Sequence, residues 1–176
     1  MSPVAVLVGP PGAGKSTVGA LLAERLGVSF VDSDVLVEAS AGRAISDIFL
    51  TDGEAAFRAM ERDTVAEALS GHEGVLALGG GAVTTEEVRG LLDGHPVVFL
   101  AVGLAAGVRR VGLSTARPLL AGVNPRATFS ALLQERLPVY RAVARHEVAT
   151  DDLEPDAVVA AVLAALAPEA TDRAHR

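Results

Sequence analysis

The segment Gly9–Ser16 combines the residue types that hold a chain of phosphates. It reads Gly-Pro-Pro-Gly-Ala-Gly-Lys-Ser, a complete G-x-x-x-x-G-K-S between a short apolar run and a helical pattern. Glycines let backbone N–H groups converge on phosphate oxygens, and the N-terminus of the following helix favours the same negative charge. Lys15 can neutralise the β- and γ-phosphates, and the Ser16 hydroxyl can bind Mg²⁺. We therefore predict a nucleoside-triphosphate site formed by Gly12, Ala13, Gly14, Lys15, Ser16 and Thr17.

Two carboxylates, Asp32 and Asp34, follow the second apolar run of the chain. Their spacing would point both toward the same side of an extended segment next to the phosphate loop. One can hold the metal through water, and the other can accept the proton of an acceptor hydroxyl. We assign the metal to Ser16 and Asp32, and the hydroxyl to Asp34. The alternative is that one of the aspartates only caps the following helix.

Composition excludes several classes of nucleotide-binding protein. A guanine-reading Asn-Lys-x-Asp motif cannot exist, because Lys15 is the only lysine and Asn124 the only asparagine. A net charge of −7 argues against a nucleic-acid partner. Cysteine is absent, which removes disulfides and thiolate metal sites. No apolar run has the length of a membrane span, and no signal-peptide pattern is seen. We expect a cytoplasmic protein that binds neither membrane nor nucleic acid.

Further motifs along the chain form an ordered and specific series. With the phosphate loop and Asp32-Ser33-Asp34, this series resembles the shikimate kinases of aromatic amino-acid biosynthesis, up to about Val148. The phosphate loop alone is generic, whereas the aspartate pair, the triple glycine and the Arg-Pro-Leu segment together are narrow. The motifs are Ile48-Phe49, Asp52-Gly53-Glu54-x-x-Phe57-Arg58, Leu78-Gly79-Gly80-Gly81-Ala82, Arg117-Pro118-Leu119-Leu120 and Arg136-x-Pro138-x-Tyr140.

The resemblance implies ATP-dependent phosphorylation of a shikimate hydroxyl, giving shikimate 3-phosphate and ADP. It further implies that Asp34, Arg58, Gly80 and Arg136 bind shikimate. The residue types agree, since arginine forks match the shikimate carboxylate. Glycines 79 to 81 would let a small polar ring approach the backbone, so Gly79 and Gly81 complete the predicted substrate site.

The nucleotide is predicted to meet arginines as well. By resemblance, Arg117 comes from a lid and neutralises charge in the transition state, and Arg110 stacks on adenine. Pro155 would add an apolar wall. The catalytic set is therefore predicted to be Lys15, Asp34 and Arg117.

Simpler readings of these arginines remain open. Arg58 lies at helical spacing from Glu54 and Glu61, which fits a surface ion pair. Arg136 has Glu135 beside it on a helix that is otherwise solvated. Arg110, near a helix end, could simply complement the helix dipole.

Two rival functions remain open at this point. A gluconate-type or nucleotide kinase would share the phosphate loop, and a non-catalytic protein would bind ATP without turnover. One departure from the family bears on the base: the loop from Thr150 to Pro155 has no basic residue. We therefore expect loose nucleotide selectivity.

Elements that position these residues alternate between strand and helix, which predicts an α/β three-layer sandwich with a five-stranded parallel sheet. Ligands of such sheets lie beyond the carboxyl ends of the strands. We predict one P-loop kinase domain over residues 1–168, with a helical substrate-binding insert at about 33–70, a lid at about 112–124 and a polar tail at 169–176. A monomer is expected. Strands are predicted at 5–8, 29–31, 75–78, 97–101 and 146–149, and helices at 15–26, over most of 35–69 with breaks near Gly42 and Gly53, from Thr84, at 104–111, 125–144 and 155–166.

Overall fold

The fold is built on a parallel sheet whose strands are short apolar runs. The computed structural model describes residues 1–111 and 124–168. The sheet order is β2-β3-β1-β4-β5, and every neighbouring pair is parallel. The predicted five-stranded parallel sheet is thus confirmed. Its strands are β1 (Ala5–Val8), β2 (Phe30–Asp32), β3 (Val75–Ala77), β4 (Val97–Ala101) and β5 (His146–Ala149).

Helices cover both faces of this sheet, because the central strands are apolar on both sides. One buried cluster joins the sheet to α1 and α8, and a second joins it to α4, α5 and α7. The predicted bounds of α1, α6 and α8 agree with the structure. The helices are α1 (Lys15–Leu26), α2 (Ser33–Ala41), α3 (Ile45–Thr51), α4 (Glu54–Gly71), α5 (Glu86–Leu91), α6 (Leu104–Val111), α7 (Pro125–Val143) and α8 (Pro155–Leu166).

The segment between β2 and β3 holds three helices around a small core of its own. Val37, Ile48 and Phe57 form this core. The breaks between the helices fall at Gly42, with φ 68°, and Gly53, with φ 89°, as the two glycines predicted. The segment therefore has a small core of its own, while the second half of α4 packs on the sheet.

One local prediction at the start of a helix was wrong, and another was confirmed. Asp34 does not lie in an extended segment, because α2 already begins at Ser33. The Asp32 carboxylate accepts a bond from the Asp34 N–H at 2.9 Å, and this cap starts the helix directly after the strand. The predicted N-cap signal Thr84-Thr85-Glu86-Glu87 does open a helix: Thr85 is the N-cap residue of α5, which begins at Glu86, while residues 82–84 form a 3₁₀ turn.

Other predictions fall outside the described residues. The predicted lid at 112–124 does so except for Asn124, which caps α7 by accepting a bond from the Ala127 N–H. The predicted tail at 169–176 lies outside entirely. Over the ranges that the structure describes, no helix is both long and apolar enough to cross a membrane.

Candidate active site

Lys15 draws the phosphate loop into a closed turn at the carboxyl end of β1. Its Nζ donates to the carbonyl oxygens of Gly9 at 2.7 Å and Pro10 at 3.0 Å. The side chain is 8% exposed, and Gly14 turns the chain into α1 with a φ of 88°. The ammonium is therefore already held at the N-terminus of a helix, where an anion binds favourably.

A cavity of about 480 Å³ opens beside this loop. Its walls come from the phosphate loop and α1, from the end of α6, and from the loop between β5 and α8. Five residues of the predicted nucleotide site line it: Ala13, Gly14, Thr17, Arg110 and Pro155. Because it adjoins Lys15 and Ser16, the cavity suits the nucleoside part of a triphosphate.

Arg110 joins the phosphate loop to the loop before α8. Its guanidinium donates to Gly12 O at 3.0 Å and to Thr150 O at 2.9 Å. Asp151 braces the other end of α6, because its carboxylate accepts a bond from the Gly103 N–H at 2.7 Å. The Arg110 guanidinium therefore serves backbone carbonyls while its side chain faces the cavity. Its predicted stacking on adenine stays a prediction.

Ser16 and Asp32 lie close enough to share one cation. The Ser16 hydroxyl donates to Asp32 Oδ2 at 2.8 Å, while Asp32 Oδ1 caps α2. Capping and metal binding are thus compatible roles of one carboxylate. Among the described residues no group of three or more His, Cys, Asp or Glu side chains could hold a metal. Two oxygen donors beside a phosphate loop fit Mg²⁺, which takes its other ligands from phosphates and water.

Arg136 is buried and Arg58 is partly buried, and Arg58 forms the ion pairs with Glu54 and Glu61 that its helical spacing indicated, the one with Glu54 at 3.5 Å. The Arg58 side chain is 11% exposed and donates to Glu61 Oε1 at 2.7 Å. Its Nε is buried without a hydrogen-bond partner among the described residues. Arg136 is 8% exposed and forms no ion pair within that part of the chain. Arg136 and the Nε of Arg58 therefore offer donors that an anion could satisfy.

Glu61 is a buried carboxylate, which the sequence indicated only as a possible ion-pair partner of Arg58. It is 1% exposed, and burial raises its pKa above the usual range, while Arg58 and, more weakly, Arg136 pull the pKa down. Asp34 acts in the same direction as burial. Four charged side chains thus influence one another in this cluster, two of each sign. The helical spacing of Arg58 and Glu61 was the signal available, but spacing does not report burial.

The glycine loop, residues 79–81 after β3, lies against this charged cluster. A Cβ at Gly79 would collide with Asp34 Oδ1, and one at Gly81 would collide with Arg58 Nη2. A Cβ at Gly80 would come within 3.1 Å of Pro11 in the phosphate loop. A side chain at 79 or 81 would therefore require Asp34 or Arg58 to shift. The loop therefore joins the charged cluster to the phosphate site.

Comparison with known proteins decides the family. A family model described as shikimate kinase matches residues 11–167. The chain belongs to the shikimate kinase family. The resemblance predicted from the motifs is confirmed, and with it the ATP-dependent kinase activity toward shikimate.

Individual relatives agree with this assignment. A shikimate kinase of Saccharopolyspora erythraea is 67% identical over 159 residues, covering 90% of this chain and 91% of that protein. One of Thermobifida fusca is 58% identical, covering 88% and 89%. A solved shikimate kinase of Acinetobacter baumannii, in complex with shikimate, is 38% identical with a TM-score of 0.89, covering 93% and 91%. A gluconokinase of Sinorhizobium meliloti, 23% identical with a TM-score of 0.59, shares the fold.

Within the kinase fold, the structure brings most predicted site residues into two neighbouring groups. One surrounds the nucleotide cavity, and the other is the charged cluster with the glycine loop. Arg117 lies outside the described residues. Three side chains were given no role by sequence reasoning: Glu61, Ser33 and Tyr140. The last two stand inside recognised motifs, which was the signal for them.

Proposed function

We propose that the chain transfers the γ-phosphoryl group of ATP to a shikimate hydroxyl, giving shikimate 3-phosphate and ADP, with the site residues described above. The observation that carries the residue assignment is the cluster of Asp34, Arg58 and Arg136 beside the phosphate loop. Two buried guanidinium groups suit the shikimate carboxylate. The Asp34 carboxylate, which lies beside the glycine loop, suits a ring hydroxyl as its hydrogen-bond acceptor. This cluster would hold shikimate facing the bound phosphates.

Asp34 would orient the reacting hydroxyl and accept its proton. The hydroxyl oxygen bonds to the γ-phosphorus, the bond from that phosphorus to the β,γ-bridging oxygen breaks, and ADP leaves. The hydroxyl proton passes to the Asp34 carboxylate. Lys15 and Arg117 would neutralise charge on the transferred group, which is the larger part of catalysis in such reactions.

Ser16 and Asp32 would hold Mg²⁺ through the hydroxyl oxygen and, by way of water, the carboxylate. The 2.8 Å contact between them supports this assignment. A bound Mg²⁺ would supply charge neutralisation of the phosphates. The protein itself would contribute the Ser16 hydroxyl oxygen and the Asp32 carboxylate, held beside the phosphate loop.

We further propose that the enzyme works as a cytoplasmic monomer. Support comes from the two residue groups, each assembled from elements of one chain. Light scattering on the eluted protein would give the oligomeric state directly, and a stable dimer would contradict this part.

An acceptor assay tests the function and the site together. ADP release is followed with shikimate, gluconate, a nucleoside monophosphate or no acceptor. We expect release only with shikimate, and a loss of at least about 100-fold in kcat for Lys15→Met. Arg141→Ala, which removes an exposed arginine of α7, should keep wild-type rates. Equal release without shikimate, or a preference for gluconate, would contradict the proposal.

A further inference from the structure

Most backbone polar groups of the glycine loop have hydrogen-bond partners within the protein. The Gly79 N–H donates to Ser33 Oγ at 2.9 Å, and the Gly79 carbonyl accepts from the Ala82 N–H at 3.1 Å. Gly81 O accepts from the N–H and the hydroxyl of Thr84, at 3.1 and 2.6 Å. Gly80 O accepts from the Tyr140 hydroxyl at 2.5 Å. Every carbonyl of the loop is therefore occupied.

Two N–H groups are left over in this loop. All three glycines are buried, yet among the described residues the N–H groups of Gly80 and Gly81 donate to no acceptor. Buried backbone donors are almost always paired with protein, water or ligand. Gly80 lies against Pro11 of the phosphate loop, and Gly81 lies against the Arg58 guanidinium. A ligand with oxygen acceptors would satisfy both N–H groups.

Tyr140 fixes the direction of one of these donors. Gly80 O and the Gly81 N–H belong to the same peptide unit, and in a planar trans peptide they point in opposite directions. Because Gly80 O points at the Tyr140 hydroxyl, the Gly81 N–H points away from Tyr140. Gly81 faces the Arg58 guanidinium on its open side. The tyrosine thereby fixes the direction of a donor on a residue that lies beside the charged cluster.

Neither anchor can move easily. Tyr140 is 1% exposed, and its ring stacks on Phe99 with centroids 5.1 Å apart. Ser33 is fully buried at the start of α2. Each anchor also sits beside a predicted shikimate residue: Ser33 precedes Asp34, and Tyr140 follows Arg136 by one helical turn. Side chains and backbone donors are thus fixed to the same two helices.

We propose that Tyr140 and Ser33 are positioning residues, which hold the glycine loop so that the Gly80 and Gly81 N–H groups are presented to oxygen atoms of shikimate. The proposal rests on the proposed function, because it deepens the assignment of the acceptor site. Neither side chain touches the substrate. Each acts through the backbone of the loop.

Kinetics of Tyr140→Phe and Ser33→Ala test the proposal. Tyr140→Phe removes one hydroxyl and keeps the ring that stacks on Phe99. We expect KM for shikimate to rise by about 10- to 30-fold in each variant, since a buried backbone group loses its partner. KM for ATP should stay within about twofold, because the phosphate loop is unchanged. Ser33→Thr, which retains a hydroxyl, should restore most of the loss.

Val162→Ala controls for general destabilisation. Val162 is buried in α8 on the other face of the sheet, so its truncation lowers stability without touching the glycine loop. Should this control raise KM for shikimate as much as Tyr140→Phe does, the effect is one of stability and the inference fails. Wild-type KM in both Tyr140→Phe and Ser33→Ala would overturn it as well. Absence of shikimate-dependent turnover in the wild type would instead overturn the proposed function.

Discussion

Arg58 and Arg136 show how burial changes the meaning of a residue type. On an exposed helix each would gain little from a neighbouring glutamate. Within this fold they are 11% and 8% exposed, and both act on the Glu61 carboxylate. Because little water surrounds them, their charges are screened less and attract a ligand anion more strongly than exposed charges would. Their roles therefore depend on the fold as much as on their identity.

Replacing either arginine by alanine should weaken shikimate use selectively. We expect Arg58→Ala and Arg136→Ala each to lower kcat/KM for shikimate, because the substrate carboxylate loses its partner. The fall should correspond to a loss of about 2–4 kcal/mol in transition-state stabilisation. Nucleotide KM should change little. Arg141→Ala is the matched control on α7, since Arg141 pairs with Glu147 at the surface. If one of the two buried arginines keeps wild-type kinetics, it has only a structural role.

The buried Glu61 should make stability depend on pH in a definite direction. Its pKa in the folded protein lies above the ordinary 4.5, so the folded state binds the proton more tightly than the unfolded chain. The contribution of Glu61 to stability is therefore fully present below pH 4.5 and is lost as pH rises through the folded-state pKa. The free energy of unfolding of Glu61→Gln, relative to that of the wild type, should therefore increase as pH rises through that interval. Above the folded-state pKa this difference should stay constant.

Urea unfolding at a series of pH values would measure this difference. Glu67→Gln, on the exposed side of α4, is the control for loss of one negative charge. A stability difference between Glu61→Gln and the wild type that does not change with pH would show that Glu61 is no more protonated in the folded state than in the unfolded chain.

At the scale of elements, α6 is held at both ends by the loop before α8. Asp151 accepts from the Gly103 N–H before the first turn, and Arg110 donates to Thr150 O from the last turn. The carboxylate also complements the positive end of the helix. The loop from Thr150 to Pro155 has no basic residue to meet the base, but its Asp151 carboxylate has a structural role at the start of α6. Its acid keeps Arg110 beside the nucleotide cavity.

Asp151→Ala should therefore weaken nucleotide use. Loss of a helix cap costs about 0.5–2 kcal/mol, so we expect KM for ATP to rise by about 2- to 30-fold while KM for shikimate stays unchanged. Asp151→Asn keeps an acceptor and should behave nearly as wild type. Asp152→Ala is the control for removing a neighbouring charge from the cavity wall. Equal effects of Asp151→Ala and Asp152→Ala would point to charge rather than to capping.

Nucleotide selectivity is expected to be loose, because the loop 150–155 offers few side-chain groups that could recognise a base. Side chains from 150–155 that face the cavity are acids, Thr150, Leu153 and Pro155, and Thr150 and Asp151 already bond to protein groups. We predict that GTP, CTP and UTP are used within about 100-fold of ATP in kcat/KM, a gap of roughly 2.7 kcal/mol. Steady-state kinetics at saturating shikimate would decide it. Much stronger discrimination would mean that backbone groups read the base.

Local sequence was enough for elements whose signals are local. The bounds of α1 follow from an apolar period between Lys15 and Gly27, and β1 follows from a continuous apolar run. Roles that depend on distant contacts could not be obtained this way. Ser33 meets Gly79 across 46 positions and Tyr140 meets Gly80 across 60. The motifs marked these residues, but only the fold shows what they touch.

For the whole molecule, the proposed acceptor site forms only when distant parts of the chain have come together. Asp34 and Arg58 come from the insert, the glycine loop from the sheet edge, and Arg136 from α7. An unfolded chain cannot assemble them, so shikimate should bind the native state alone. Binding then stabilises the protein by mass action, by about 2.7 kcal/mol at 100 times Kd. For a chain of this size that corresponds to a rise in Tm of roughly 5 to 10 °C.

Thermal unfolding with increasing shikimate, without nucleotide, is the measurement. Tm of the wild type should rise with shikimate and stay constant with gluconate. Arg136→Ala should lose most of the shift at the same shikimate concentration, whereas Arg141→Ala should keep it. An equal shift with gluconate would mean that the buried arginines bind carboxylates without reading the ring. An unchanged Tm in the wild type at saturating shikimate would mean that the acceptor site is not formed until nucleotide is bound.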